Sequence, residues 1–219
     1  MSKLEVDAIE PQSGTTLTLG ASGDTVTIPS GVTLSGTTLS GTSLALTGNI
    51  GIGGATPTIS GTGITFPATE SASTNANTLD DYEEGTFTPG FTGSTTAPSG
   101  VNYFSRNGYY IKIGRQVSVS MWLDLQSWSS APTGTAAIGG LPFTSSNVTN
   151  GYHAFTVGYS AGFNTDNAPQ AVFVGANQSI LTLSKNATSD SRNNLLTGVV
   201  SASMNGTESI IVSGTYFTG

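Results

Sequence analysis

The sequence predicts an all-β protein in two parts: an interwoven trimeric β-stalk (a β-prism or triple β-helix), then an antiparallel β-sandwich knob of jelly-roll type. Three observations predict it. Charged residues are only 9% of the 219, against 29 glycines, which excludes long Lys/Glu-rich amphipathic helices. Residues 13–65 contain 33 Gly, Ser or Thr, and no aromatic occurs before Phe66. After residue 80 come many short alternating segments separated by turn clusters.

The stalk is assigned to residues 21–66. Such a tract cannot bury enough apolar surface alone. Its aliphatics are nevertheless regular: Leu4/Val6/Ala8, Leu17/Leu19, Val26/Ile28, Val32/Leu34, Ile50/Ile52 and Ile64/Phe66 alternate with the period of a strand. From Gly31 to Ala45, Gly and Leu each recur every five residues. Collagen needs Gly every third residue and is rejected. A pentapeptide solenoid needs more stacked coils than this run supplies. Three chains, each giving one narrow apolar edge to a common axis, suit the pattern better. Leu17, Leu19, Val26, Ile28, Leu34, Leu39 and Leu44 are the expected subunit contacts. A Gly/Ser/Thr linker is the competing reading. Residues 67–81 lack periodicity and read as a joint.

The knob is assigned to residues 82–219. Tyr109/Ile111/Ile113 alternate, and 117–125 is the clearest strand. Val117, Val119, Met121, Leu123 and Leu125 share one face of it, and Ser118, Ser120, Trp122 and Asp124 share the other. Further strands are expected at 135–141, 152–159, 170–175, 179–184, 195–203 and 208–217. Turn clusters at 145–150, 162–169 and 184–194 separate them. Eight strands in about 135 residues are enough for one core.

Charge divides with the parts. Residues 1–84 hold nine acids and one base; residues 85–219 hold four acids and five bases. No basic stripe suited to nucleic acid is present. There is no cysteine, so disulfides and thiolate metal sites are excluded. The N-terminus has no apolar leader segment, and no run approaches a membrane span, so synthesis in a cytosol as a soluble chain is expected.

Several stretches resemble a known family. The segments VDAIEPQSGTTLTLG (6–20) and GDTVTIP (23–29) resemble N-terminal parts of tail fibres of marine bacteriophages, cyanophages included. LDDYEEGTFTP (79–89) is similar to the opening sequence of a phage tail-fibre head domain. That domain typically continues with a Tyr, then Gly-x-Tyr-x-Lys-Ile-Gly and a Val-rich strand. Here Tyr103, NGYYIKIG (107–114) and Val117/Val119 come next, with the aromatic doubled. GLPF (140–143) and VSGTYF (212–217) also fit. The resemblance implies a homotrimer of the virion tail, fixed by residues 1–20 to a tail or baseplate protein, with a host-binding knob. Receptor binding during adsorption, to a surface polysaccharide or protein, is the implied function. A structural decoration or collar protein is the alternative, and a glycan-degrading tailspike comes third.

No residue constellation carries catalysis. His153 is the only histidine, with no nucleophile motif beside it. A glycosidase needs paired carboxylates, and the knob offers Asp124, Asp166, Asp190 and Glu208. The chain is therefore read as a binder and not an enzyme, needing no cofactor, with no metal site assigned. Asp80, Asp81, Glu83 and Glu84 lack a calcium-loop spacing and read as solvated charge at the joint. Gly51–Ala55 lacks the ending of a phosphate loop. Trp122 is assigned to a subunit interface in preference to sugar stacking. Trp128 is assigned to a contact at the knob tip, against the alternative of a loop anchor in the core. Tyr152, Phe163, Asn164 and Asp166 are its expected companions.

Overall fold

The computed structural model describes residues 13–15, 49–57, 60–69, 73–75, 77–164, 168–186, 196–198 and 204–219. The chain divides into two units, Met1–Leu46 and Thr47–Gly219, and the described strands all belong to the second. Leu17, Leu19, Val26, Ile28, Leu34, Leu39, Leu44 and Asp166 lie outside the described residues.

Every element described is a strand. β1 (Ile50–Gly51) and β2 (Ile64–Thr65) pair in parallel, as the alternation of Ile50/Ile52 and Ile64/Phe66 predicts for strands. The knob contains β3 (Tyr82–Phe87), β4 (Gly90–Gly93), β5 (Asn102–Ile113), β6 (Gln116–Ser127), β7 (Ala136–Gly139) and β8 (His153–Phe163). It continues with β9 (Ala171–Val174), β10 (Ile180–Asn186), β11 (Leu196–Gly198) and β12 (Met204–Phe217). All eight predicted knob segments contain strands; β3 and β4 are additional.

The strands form one antiparallel sheet in the order β3-β5-β6-β12-β8-β9-β10-β7-β4, with β11 also paired to β10. Its two edges, β3 and β4, are consecutive in sequence and joined only by Thr88 and Pro89. The sheet must therefore curl until its edges meet. Pro89 supplies no N–H at the point where the chain stops pairing with β5, as β3, and begins pairing with β7, as β4. A bond from the Phe91 N–H to Tyr103 Oη (2.8 Å) ties β4 to β5 across this seam.

Alternation along β6 builds the core. Val117, Val119, Met121, Leu123 and Leu125 point inward and are buried. On β12, Ile210, Val212 and Tyr216 lie opposite Leu123, Met121 and Val117 and join them. Phe91, Ile138, Phe155, Val172, Val174, Leu181 and Leu183 complete one cluster reached by strands from the whole sheet.

One strand departs from the simple pattern. On β5 the apolar set Tyr109, Ile111 and Ile113 faces outward, and Gly108, Tyr110 and Lys112 face inward. Two approaches explain the inversion. Cβ atoms at Gly85 and Gly108 would strike the rings of Tyr110 and Phe87, so these glycines let β3 and β5 close around inward aromatics. Lys112 is admitted to the interior because Asp81 awaits it there.

Candidate functional site

At one end of the knob, the two motifs that flank β3 and β5 turn out to be each other's partners. Asp81 and Lys112 form an ion pair whose side chains are 8% and 4% exposed. The Gly114 N–H donates to the Asp81 carbonyl (2.9 Å), and the Tyr110 hydroxyl donates to Glu83. That hydrogen bond, chiefly, pushes the Tyr110 hydroxyl up to about 12. The Tyr82 hydroxyl donates to Glu84 (2.9 Å). For Asp81 the expectation of solvated charge is corrected, because the Lys112 cation is buried beside it; Glu83 and Glu84 stay exposed, each with a phenol partner. The Lys112 ammonium also lies 5.7 Å from the centre of the Phe143 ring. Among the described residues, no group of three or more His, Asp or Glu side chains is arranged to hold a metal.

Residues 66–69 enter at this same end. Phe66 packs on Tyr82 with ring centres 6.4 Å apart. Together with Phe143, Ser145, Asn177 and Thr218, the segment lines a cavity of about 670 Å³. Tyr216 props its wall. Its hydroxyl donates to the Phe143 carbonyl (3.0 Å) and accepts from the Phe143 N–H (3.2 Å). Burial pushes the Tyr216 hydroxyl up to about 12, against the lowering effect of its backbone bond.

The opposite end lies the length of β5 and β6 away, roughly 35 Å at 3.3 Å per residue. Here residues 94–99 and 130–135 extend the sheet as a ladder of small hydroxyl side chains, bridged at Thr96–Thr133 and Ser99–Ser130. The Thr96 and Thr133 hydroxyls meet at 2.7 Å, and Asn102 donates to Ser127 (3.3 Å). Trp128 sits at its base, half-buried against the core and beside Gly206. Glycine at 206 has φ +87°, and its lack of a Cβ leaves room for the indole. Asn205 donates to the Gly162 carbonyl (3.1 Å), bringing β12 against the end of β8, where Phe163 packs edge-on to Phe91.

Of the predicted contact residues, this tip therefore gathers Trp128, Phe163 and Asn164. Trp128 and Phe163 are both anchored on the core, and Asn164 is exposed. Tyr152 is exposed at the other end, because β8 begins there; its ring packs edge-on to Phe173 (5.7 Å). Sequence reasoning missed the Ser/Thr ladder. Its signal was the pair of similar runs GSTTAPSG (93–100) and SSAPTGT (129–135), which mark two facing segments.

Glu208 lies on β12 towards the tip and is fully buried. It accepts from the N–H groups of Asn205 and Gly206. Burial holds its carboxyl above the usual range, partly offset by those donors. Asp124 stands on the outer face of β6, one position along β6 from Leu125. His153 Nε2 is buried without a hydrogen-bond partner, and the ring lies 5.8 Å from Phe217.

The third feature is the outer face of β3, β5, β6, β12 and β8. Register places Tyr82, Ile113, Gln116 and Phe217 in one transverse row. Asn107, Trp122, Ile211 and Tyr159 form another, with Tyr109 and Ile111 between them on β5. Trp122 is on the solvent side of β6, as alternation predicts. Its Nε1 donates to Ser209 Oγ (3.2 Å), which leans the indole toward β12. A shallow depression of about 340 Å³ lies between Trp122, Tyr109 and Ile211.

No family model matches the chain, and no curated protein matches it. Among solved structures, the crystal structure of Dettilon tailspike protein is similar, with a TM-score of 0.49 and 20% sequence identity. The likeness covers 62% of this chain and 24% of that one, so this chain spans about a quarter of its length. A likeness at that level leaves the functional reading to the chain's own residues. Among the described residues, no helix is long and apolar enough to cross a membrane.

Proposed function

We propose that the chain is a phage tail-fibre protein of the virion tail, whose knob binds a host-surface polysaccharide at the tip during adsorption. The observation that carries this reading is the tip itself. It lies at the far end of the long strands from where residues 66–69 enter, which is where a spacer would present a contact surface. The exposed Arg106 guanidinium lies back along β5, 4.9 Å from the Tyr103 ring centre, and at the tip itself stand exposed hydroxyls and amides from Ser94, Thr96, Ser130, Thr133, Asn164 and Asn205. That is the hydrogen-bonding repertoire of a site for a neutral polyol.

The order of the motifs supports the family reading, and the pairing of Asp81 with Lys112 gives those motifs a shared structural purpose. Residues 1–20 would dock to a tail or baseplate protein, and 21–66 would form the trimeric stalk of a jelly-roll-type head. Three weak sites per fibre would then act by avidity. The chain is read as a binder rather than a glycosidase. The burial of Glu208 under backbone donors supports this, since an acid catalyst must reach its substrate.

The test is adsorption competition with the purified full chain. Occupied cells should lose phage binding, and N164A together with T96A/T133A should weaken the block at least fivefold without changing the circular dichroism spectrum. A protein that never competes would point to a purely structural virion component. Release of reducing sugar from host polysaccharide would establish the tailspike alternative.

A further inference from the structure

We infer that the outer face of β3, β5, β6, β12 and β8 is covered, in the assembled protein, by a second copy of this chain. Its area is that of an interface. Tyr82, Tyr109, Ile111, Ile113, Trp122, Tyr159, Ile211 and Phe217 are each 40 to 61% exposed. For side chains of roughly 150–250 Å², these leave on the order of 800 Å² of adjoining surface. A monomer's largest apolar patch is typically about 300–600 Å², and a standard interface takes about 800 Å² from each partner.

Three polar contacts within the face point the same way. Trp122 Nε1 is bonded to Ser209, and the Ser118 and Thr215 hydroxyls meet at 3.1 Å. Tyr82 is bonded to Glu84. These groups already have partners within the face, so a dry protein surface can cover them without orphaning them.

Charge selects the occupant. Between the Tyr82 row and the Trp122 row the register places one ionised side chain, Glu84, and no base. An anionic lipid or charged polymer finds nothing to pair with there. Identical copies, which bring like charges together, find almost nothing to repel. Four of the eight side chains are aliphatic or plain phenyl, which suits the apolar centre of an interface better than carbohydrate stacking. The depression beside Trp122 would take a side chain of the neighbour. This face is separate from the tip, and a second copy covers it whatever the tip binds.

The chain has no cysteine, so a single introduced thiol reports one place. Ser120→Cys lies in the middle of the face and Ser130→Cys on the tip, both at exposed positions. In the native full chain, the S120C thiol should react with a bulky maleimide at least tenfold more slowly than the S130C thiol. In urea the two rates should become equal. Adding Ile211→Glu to S120C should restore fast labelling with an unchanged circular dichroism spectrum. Equal rates in the native protein overturn the inference, as does a monomer by light scattering. Protection of S120C that appears only on adding host polysaccharide also overturns it, as does protection that survives I211E. None of these outcomes depends on adsorption competition, so the two proposals fail separately.

Discussion

At the scale of single residues, Asp81 and Lys112 matter most. Each is a charge out of water, tolerable only because the other is present. Removing one leaves the other uncompensated, so Asp81→Asn should cost about 3–5 kcal/mol in urea unfolding, far more than Glu84→Gln, whose partner is an exposed phenol. A D81N effect below about 1 kcal/mol would mean that the pair is solvated. Tyr216 is the second case. Tyr216→Phe leaves the Phe143 N–H and carbonyl without a partner and should cost about 1–3 kcal/mol at neutral pH. Its pH dependence has a definite sign. The unfolded chain ionises tyrosine near pH 10, and the folded protein holds Tyr216 neutral up to about 12. Its contribution is complete below pH 10 and is lost as pH rises through 12. Thermal melts from about pH 9 to 12 should fall more steeply for the native chain than for Y216F.

At the scale of elements, strand positions were legible and the inward face of one strand was not. The run from Val117 to Leu125 has large aliphatics on one face and small polar groups on most of the other, so periodicity alone orients β6. On β5 the same rule turns the strand the wrong way. Tyr109, Ile111 and Ile113 look like the core set, yet Tyr110 and Lys112 are inside, because their partners come from 81–87 and 143. Periodicity ranks side chains by polarity and knows nothing of a buried counter-ion. β3 is hidden from it for the same reason: YEEGTF carries two acids and a glycine, and it is a strand by virtue of its neighbour. Gly108→Val should therefore be tolerated poorly although valine favours strands. Its side chain would meet the Phe87 ring, and a loss of at least about 2 kcal/mol, with β3 amides losing hydrogen-exchange protection first, is expected. Protection lost evenly across the sheet would show that β3 is not a separate weak point.

At the scale of the whole molecule, the knob is one sheet closed on itself by a two-residue link. Its stability should be cooperative, since every part of the sheet feeds a single core. Phe91→Ala tests this. The ring stacks on Tyr103 (6.5 Å) and meets Phe163 edge-on (6.4 Å), so its loss should cost about 3–5 kcal/mol while leaving one unfolding transition. A second transition in calorimetry would show that β4 and β7 melt separately. Closure also separates three surfaces: an end that receives the incoming chain, a tip about 35 Å away, and an apolar flank. Trp128 belongs to the tip, Tyr152 to the receiving end and Trp122 to the flank.

The sequence by itself determined the all-β class, the eight principal strands of the knob and the outward placement of Trp122. These follow from local alternation and turn chemistry, which neighbouring residues carry. Only the tertiary structure decided that Asp81 is buried against Lys112, that Trp128 and Phe163 share a tip without Tyr152, and that the apolar side of β5 faces out. Those outcomes depend on which strands become neighbours, through contacts between residues far apart in the chain that no local period encodes.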